Sequence, residues 1–144
     1  MSKEIKKTTK LSWAKRGAEI IVNTDETINQ TGEQAFESVQ IIGGTSEALV
    51  FGDVSVPAYI SFKNLNPKWS ELSAAEKVSA GGVQATYEAA NRVFVGTTNP
   101  TTAADAIHTL YPGSGTNFLQ TIALAWFACK ATDSVNLLVV AIEA

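Results

Sequence analysis

The chain has one cysteine, Cys129, and one histidine, His108, among its 144 residues. A lone thiol excludes an intrachain disulfide and gives no sign of passage through an oxidising compartment. A lone histidine, with no cysteine or acidic cluster at ligand spacing, points away from a metal centre and from a histidine-based catalytic pair. Long apolar runs are missing too. The most apolar stretch, Phe118 to Cys129, is interrupted by Gln120 and Thr121 and is too short to span a bilayer. The charged start is not followed by an apolar segment, so no signal peptide is expected and the reading is a soluble protein made in a cytoplasm. Charged residues make up only 17% of the chain, which suits a surface partly covered by partners.

The charge that is present is unevenly placed. Residues 1–16 hold Lys3, Lys6, Lys7, Lys10, Lys15 and Arg16 against the single acid Glu4. Residues 17–144 hold five basic and thirteen acidic groups. This predicts an extended, basic N-terminal arm over 1–16 ahead of one acidic domain over 17–144, a size that buries a proper core. Such an arm can bind an anionic surface, nucleic acid, or the acidic body of a neighbouring copy, or remain a solvated terminus.

Short β-branched and aromatic runs recur, each closed by turn residues. They are Glu19–Asn23, Ser38–Ile42, Ala48–Phe51, Ala58–Phe62, Arg92–Val95 and Ile107–Tyr111. Phe118–Ala131 and Val135–Ile142 flank Thr132-Asp133-Ser134 and predict a terminal hairpin. The spacing predicts an all-β fold, a β-sandwich or jelly-roll-like domain, with one or two short helices. Helical spacing with a Ser70 cap and a Gly81-Gly82 stop places one over 70–79, and a weaker pattern covers 102–110. The last strand is apolar on both faces, as expected of a central strand under a loop or of a face that meets another subunit.

Coupled chemistry is hard to find in these residues. Gly113-Ser114-Gly115 lacks the strand-turn-helix setting of a nucleophile elbow, and Gly43-Gly44-Thr45-Ser46 lacks the lysine of a phosphate loop. Cys129 sits in an apolar segment and reads as a small hydrophobe. The expectation is a non-enzyme with no cofactor. Trp13, beside the basic residues, and Trp69, in an Asn-Pro-Lys-Trp turn, read as interface anchors or as flaps over the protein's own core. Base stacking beside the arm ranks last, because the body has no basic patch to continue such a groove.

Several short motifs point further: Ile42-Gly43-Gly44-Thr45, Glu47-Ala48-Leu49, Gly52-Asp53-Val54, Pro57-Ala58-Tyr59 and Phe62-Lys63-Asn64-Leu65-Asn66. Towards the C-terminus stand Trp126-Phe127-Ala128-Cys129-Lys130-Ala131 and Val135-Asn136-Leu137-Leu138-Val139-Val140 with Glu143. Over about 36–66 and 107–143 this layout resembles small virion-associated proteins of tailed bacteriophages, with Ala58 where that pattern has glycine and Asn66 where it has aspartate. The segment at about 72–106 has no counterpart there and reads as an insert.

The resemblance implies a structural virion part, assembled in the bacterial host cytoplasm. It implies first a capsid decoration (cement) protein, a homotrimer or other symmetric oligomer bridging subunits of the major capsid protein, without membrane or nucleic-acid partners. Lys3, Lys6, Lys7, Lys10, Trp13, Lys15, Arg16 and Trp69 are its candidate interface residues. Other readings are a tail, neck or fibre protein, and a carbohydrate-binding β-sandwich using Trp69, Tyr87 and Tyr111 as a stacking platform.

Overall fold

The computed structural model describes residues 3–15, 18–30, 34–97, 100, 104–119, 127–130 and 135–143. The chain divides into two compact units, Met1–Glu33 and Gln34–Ala144. In the first, β1 (Lys3–Lys15) and β2 (Ala18–Gln30) form an antiparallel two-stranded ribbon. The basic segment is therefore a paired strand where an extended arm was expected, and the unit boundary falls after Glu33 where the sequence suggested Arg16. The register sets Lys7 opposite Glu26 and Thr8 opposite Asp25.

The second unit opens with β3 (Ala35–Ile42), β4 (Glu47–Ala48) and β5 (Pro57–Asn64). A single 3-10 turn (Trp69–Glu71) and two short helices follow, α1 (Ala74–Ser79) and α2 (Gln84–Asn91). Then come β6 (Val93–Gly96), β7 (His108–Leu110), β8 (Gly115–Leu119), β9 (Phe127–Lys130) and β10 (Val135–Glu143). The described strands of this unit form two antiparallel sheets, ordered β3-β10-β5-β8 and β4-β9-β6-β7.

The hairpin expected between the last two strands is not formed. β9 pairs with β4 and β6, while β10 pairs with β3 and β5, so consecutive strands enter different sheets. β10 is long and apolar on both faces, which suits an interior position between two neighbours better than the edge of a hairpin. The segment set apart as an insert, about 72–106, also ends inside the core. Its strand β6 is buried at each of its four residues and is paired on both sides, with β9 and β7.

One hydrophobic cluster draws on both sheets. Ile42, Ile60, Phe62, Val135, Leu137 and Val139 come from the first, and Val93, Val95, Leu110 and Ala128 from the second. Strand alternation does the sorting, since every second residue of β10 (Val135, Leu137, Val139, Ala141) is at most 1% exposed.

Local chemistry sets the helix bounds. α1 is capped by Ser73, three residues beyond the expected Ser70. Glu76 lies three residues after Ser73 and completes a reciprocal capping box, accepting from the Ser73 N–H at 2.8 Å. The stop falls where the glycines predict. Gly82 N–H donates to the Lys77 carbonyl and Gly81 N–H to the Val78 carbonyl, a Schellman motif with both glycines at positive φ. The second helix lies over Gln84–Asn91 and not over 102–110. Of that expected stretch, 102–103 lie outside the described residues, and His108–Leu110 pairs as a strand with β6.

Candidate functional site

The register places the two catalytic candidates on different strands, β7 and β9, on either side of β6. His108 stands opposite Val95 and Cys129 opposite Phe94 in the same sheet. Among the described residues, no group of three or more His, Cys, Asp or Glu could hold a metal ion. None of the helices is long and apolar enough among the described residues to cross a membrane.

Of the residues singled out for binding, Lys3, Lys6, Lys7, Lys10, Trp13 and Lys15 share strand β1, and Arg16 lies outside the described residues. Trp69 belongs to the second unit and packs inside it. Its ring centroid is 5.7 Å from that of Tyr87, and the Lys77 ammonium stands 5.8 Å above the indole. The Tyr87 hydroxyl donates to the Pro67 carbonyl at 2.7 Å. Burial pushes the Tyr87 phenol up from its ordinary value, and the carboxylates of Glu76 and Glu71 add to the rise. Trp69 and Tyr87 thus hold the helical segment together and leave Tyr111, 47% exposed, without them as a stacking platform.

Beneath this corner lies a polar cluster that sequence reasoning missed. Asn64, at the end of β5, is fully buried. Its amide donates to the carbonyls of Asn91 at 2.7 Å and Leu110 at 3.1 Å, and its Oδ1 accepts from the Asn66 N–H at 3.0 Å. Asn66 donates to the Asn91 side-chain oxygen, and Asn91 donates back to the Tyr87 carbonyl. The second half of the Phe62-Lys63-Asn64-Leu65-Asn66 motif is a clasp that fixes α2 and β7 to the end of β5. A grooved surface of about 380 Å³ beside it is lined by residues of α1 and α2, among them Leu72, Glu76, Tyr87 and Asn91.

A broader feature is the outer face of the β3-β10-β5-β8 sheet. Its inward face fills the core, and alternation presents Ala35, Glu37, Val39 and Ile41 outward on β3. Asn136, Leu138, Val140 and Ile142 follow on β10, and Tyr59, Ser61 and Lys63 on β5. Val39 is 53% and Ile41 67% exposed. Leu65, whose N–H donates to the Asn136 carbonyl, extends the β5 row with 40% exposure. Apolar side chains ordered by a rigid sheet and left to solvent are what an interaction surface requires. The two-sided apolar pattern of the last strand was the sequence signal for it. Comparison with protein-family models, with curated proteins and with solved structures finds no match to this chain.

Proposed function

We propose that the chain is a structural component of a bacteriophage virion, first of all a capsid decoration protein, built on a β-sandwich and assembling with copies of itself and with shell subunits. The observation that carries this reading is the apolar outer face of the β3-β10-β5-β8 sheet, an ordered surface suited to permanent contact. Its support from the sequence is the layout shared with small virion-associated proteins over about 36–66 and 107–143. A single cluster fed by both four-stranded sheets supports the sandwich.

The test is the intact particle: quantitative composition analysis together with an image of the head and tail. A decoration protein occurs in hundreds of copies at lattice points, and a neck or tail ring in about a dozen, on the order of one symmetric ring. Absence from purified particles ends the reading. The sugar-binding alternative loses support because Trp69 and Tyr87 are engaged with each other.

A further inference from the structure

The outer face of the β3-β10-β5-β8 sheet matches itself. We propose that it is a two-fold interface with a second copy of this chain, packed sheet on sheet with β10 over β10. This rests on the self-assembling reading above and specifies which surface carries it. Consider a two-fold axis running along β10 in the plane of the face. It lays β3 of one copy over β5 of the other while keeping each row of residues level.

The rows are given by the register. Ile41 and Leu65 both flank Asn136; Val39 and Lys63 flank Leu138; Glu37 and Ser61 flank Val140; Ala35 and Tyr59 flank Ile142. The axis therefore sets Ile41 against Leu65 of the second copy, two exposed apolar groups that gain by leaving water. Val39 meets the aliphatic stem of Lys63, whose ammonium can reach the rim. Glu37 meets the Ser61 hydroxyl and is offset by only about 7 Å along the strand direction, two residues, from Lys63 of the second copy. Ala35, the smallest outward residue, meets Tyr59, the largest. Leu138, Val140 and Ile142 pack on their own counterparts across the axis.

Charge selects the occupant. Among the outward residues of β3, β10 and β5, the face carries one acid and one base, Glu37 and Lys63, on opposite sides of the apolar β10 stripe. A strongly charged partner such as nucleic acid or an acidic peptide finds no field there. A second copy finds both charges answered. Away from this face, residues 34–144 hold four basic and eight acidic groups, so other surfaces of the unit repel one another.

The test uses the full chain and sedimentation equilibrium. The unsubstituted protein is expected to be a dimer. Val39→Lys with Ile41→Lys places like charges on exposed positions of the seam and is expected to raise the dimer dissociation constant about 100-fold or more, with the circular dichroism spectrum unchanged. Glu37→Lys and Lys63→Glu are each expected to weaken the dimer about fivefold, and the double exchange to restore most of the loss. This second arm decides the matter should the lysine variant fail to fold.

A monomeric or trimeric parent, an undiminished dimer in the lysine variant, or a charge exchange without recovery overturns the proposal. The virion reading fails separately. A dimer that dissociates as described, in a protein missing from purified particles, keeps this interface and removes that function. A protein found in particles whose variants never alter self-association does the reverse.

Discussion

Asn64 joins stretches of chain that strand pairing alone leaves apart. Its amide is the donor for the carbonyl that ends α2 and for one on β7, and its oxygen receives the Asn66 N–H. Buried polar groups cost little when each has a partner and a great deal when one is removed. Asn64→Asp replaces two N–H donors by a carboxylate facing two carbonyls, with no cation in the cluster. It is expected to lower unfolding free energy by about 3 kcal/mol or more. Asn64→Leu keeps the bulk, strands the same carbonyls, and is expected to cost about 2–3 kcal/mol. Urea unfolding measures both, and a midpoint unchanged in Asn64→Asp contradicts the clasp. Gly52 is a second sensitive position of a different kind. Its φ of 57° suits glycine, and a Cβ there would press into the Phe36 ring. Gly52→Ala is expected to cost about 1–2 kcal/mol by the same measurement.

At the level of elements, the helical corner owes its bounds to capping. α1 has only six residues, too few to persist without caps and tertiary support. Glu76 Oε2 accepts from the Ser73 N–H and from the Ser73 hydroxyl, and these bonds hold its carboxyl below the ordinary glutamate range. A folded-state pKa below the unfolded value means that the box contributes at pH above the unfolded glutamate value and is lost as pH falls through the folded one. Amide exchange followed by NMR at decreasing pH is therefore expected to show α1 opening while the β10 amides stay protected. Simultaneous loss of both contradicts a local cap. At the alkaline end the sign reverses. The raised Tyr87 phenol favours its neutral form in the fold, so its contribution is whole below the ordinary tyrosine value and lost as pH rises through the folded one.

Elements of this kind were partly legible in the sequence. The alternation of Ala58–Phe62 and the doubly apolar Val135–Ile142 identified β5 and β10, because a strand's side-chain period is a local property. Which strand lies beside which is not local, so the terminal hairpin was expected and β9 and β10 parted into different sheets. The Glu three residues after Ser73 was the signal for the true cap, and Ser70 competed with it. Asn64 and Asn91 read as ordinary turn or helix-end residues, since nothing in their spacing reveals a hydrogen bond across 27 positions.

At the level of the whole molecule, the division after Glu33 changes the meaning of the basic residues. Taken alone, residues 1–16 look like a cationic tail. Taken with their partner strand, residues 1–33 hold six basic and five acidic groups, and the ribbon is close to neutral. A nearly neutral ribbon has little pull on a phosphate backbone. Truncation after residue 16 would strand β2 without its partner. Truncation after Glu33 removes one compact unit and leaves the described strand pairs of the other intact. The chain Gln34–Ala144 is expected to keep its β-type circular dichroism and a cooperative unfolding transition. The peptide 1–33 is expected to be largely unstructured by itself, because an isolated two-stranded ribbon is marginal in water. If the ribbon grips a capsid, the truncated protein is expected to bind purified heads at least tenfold more weakly than the full chain, and full-strength binding by Gln34–Ala144 would assign the grip to the second unit instead.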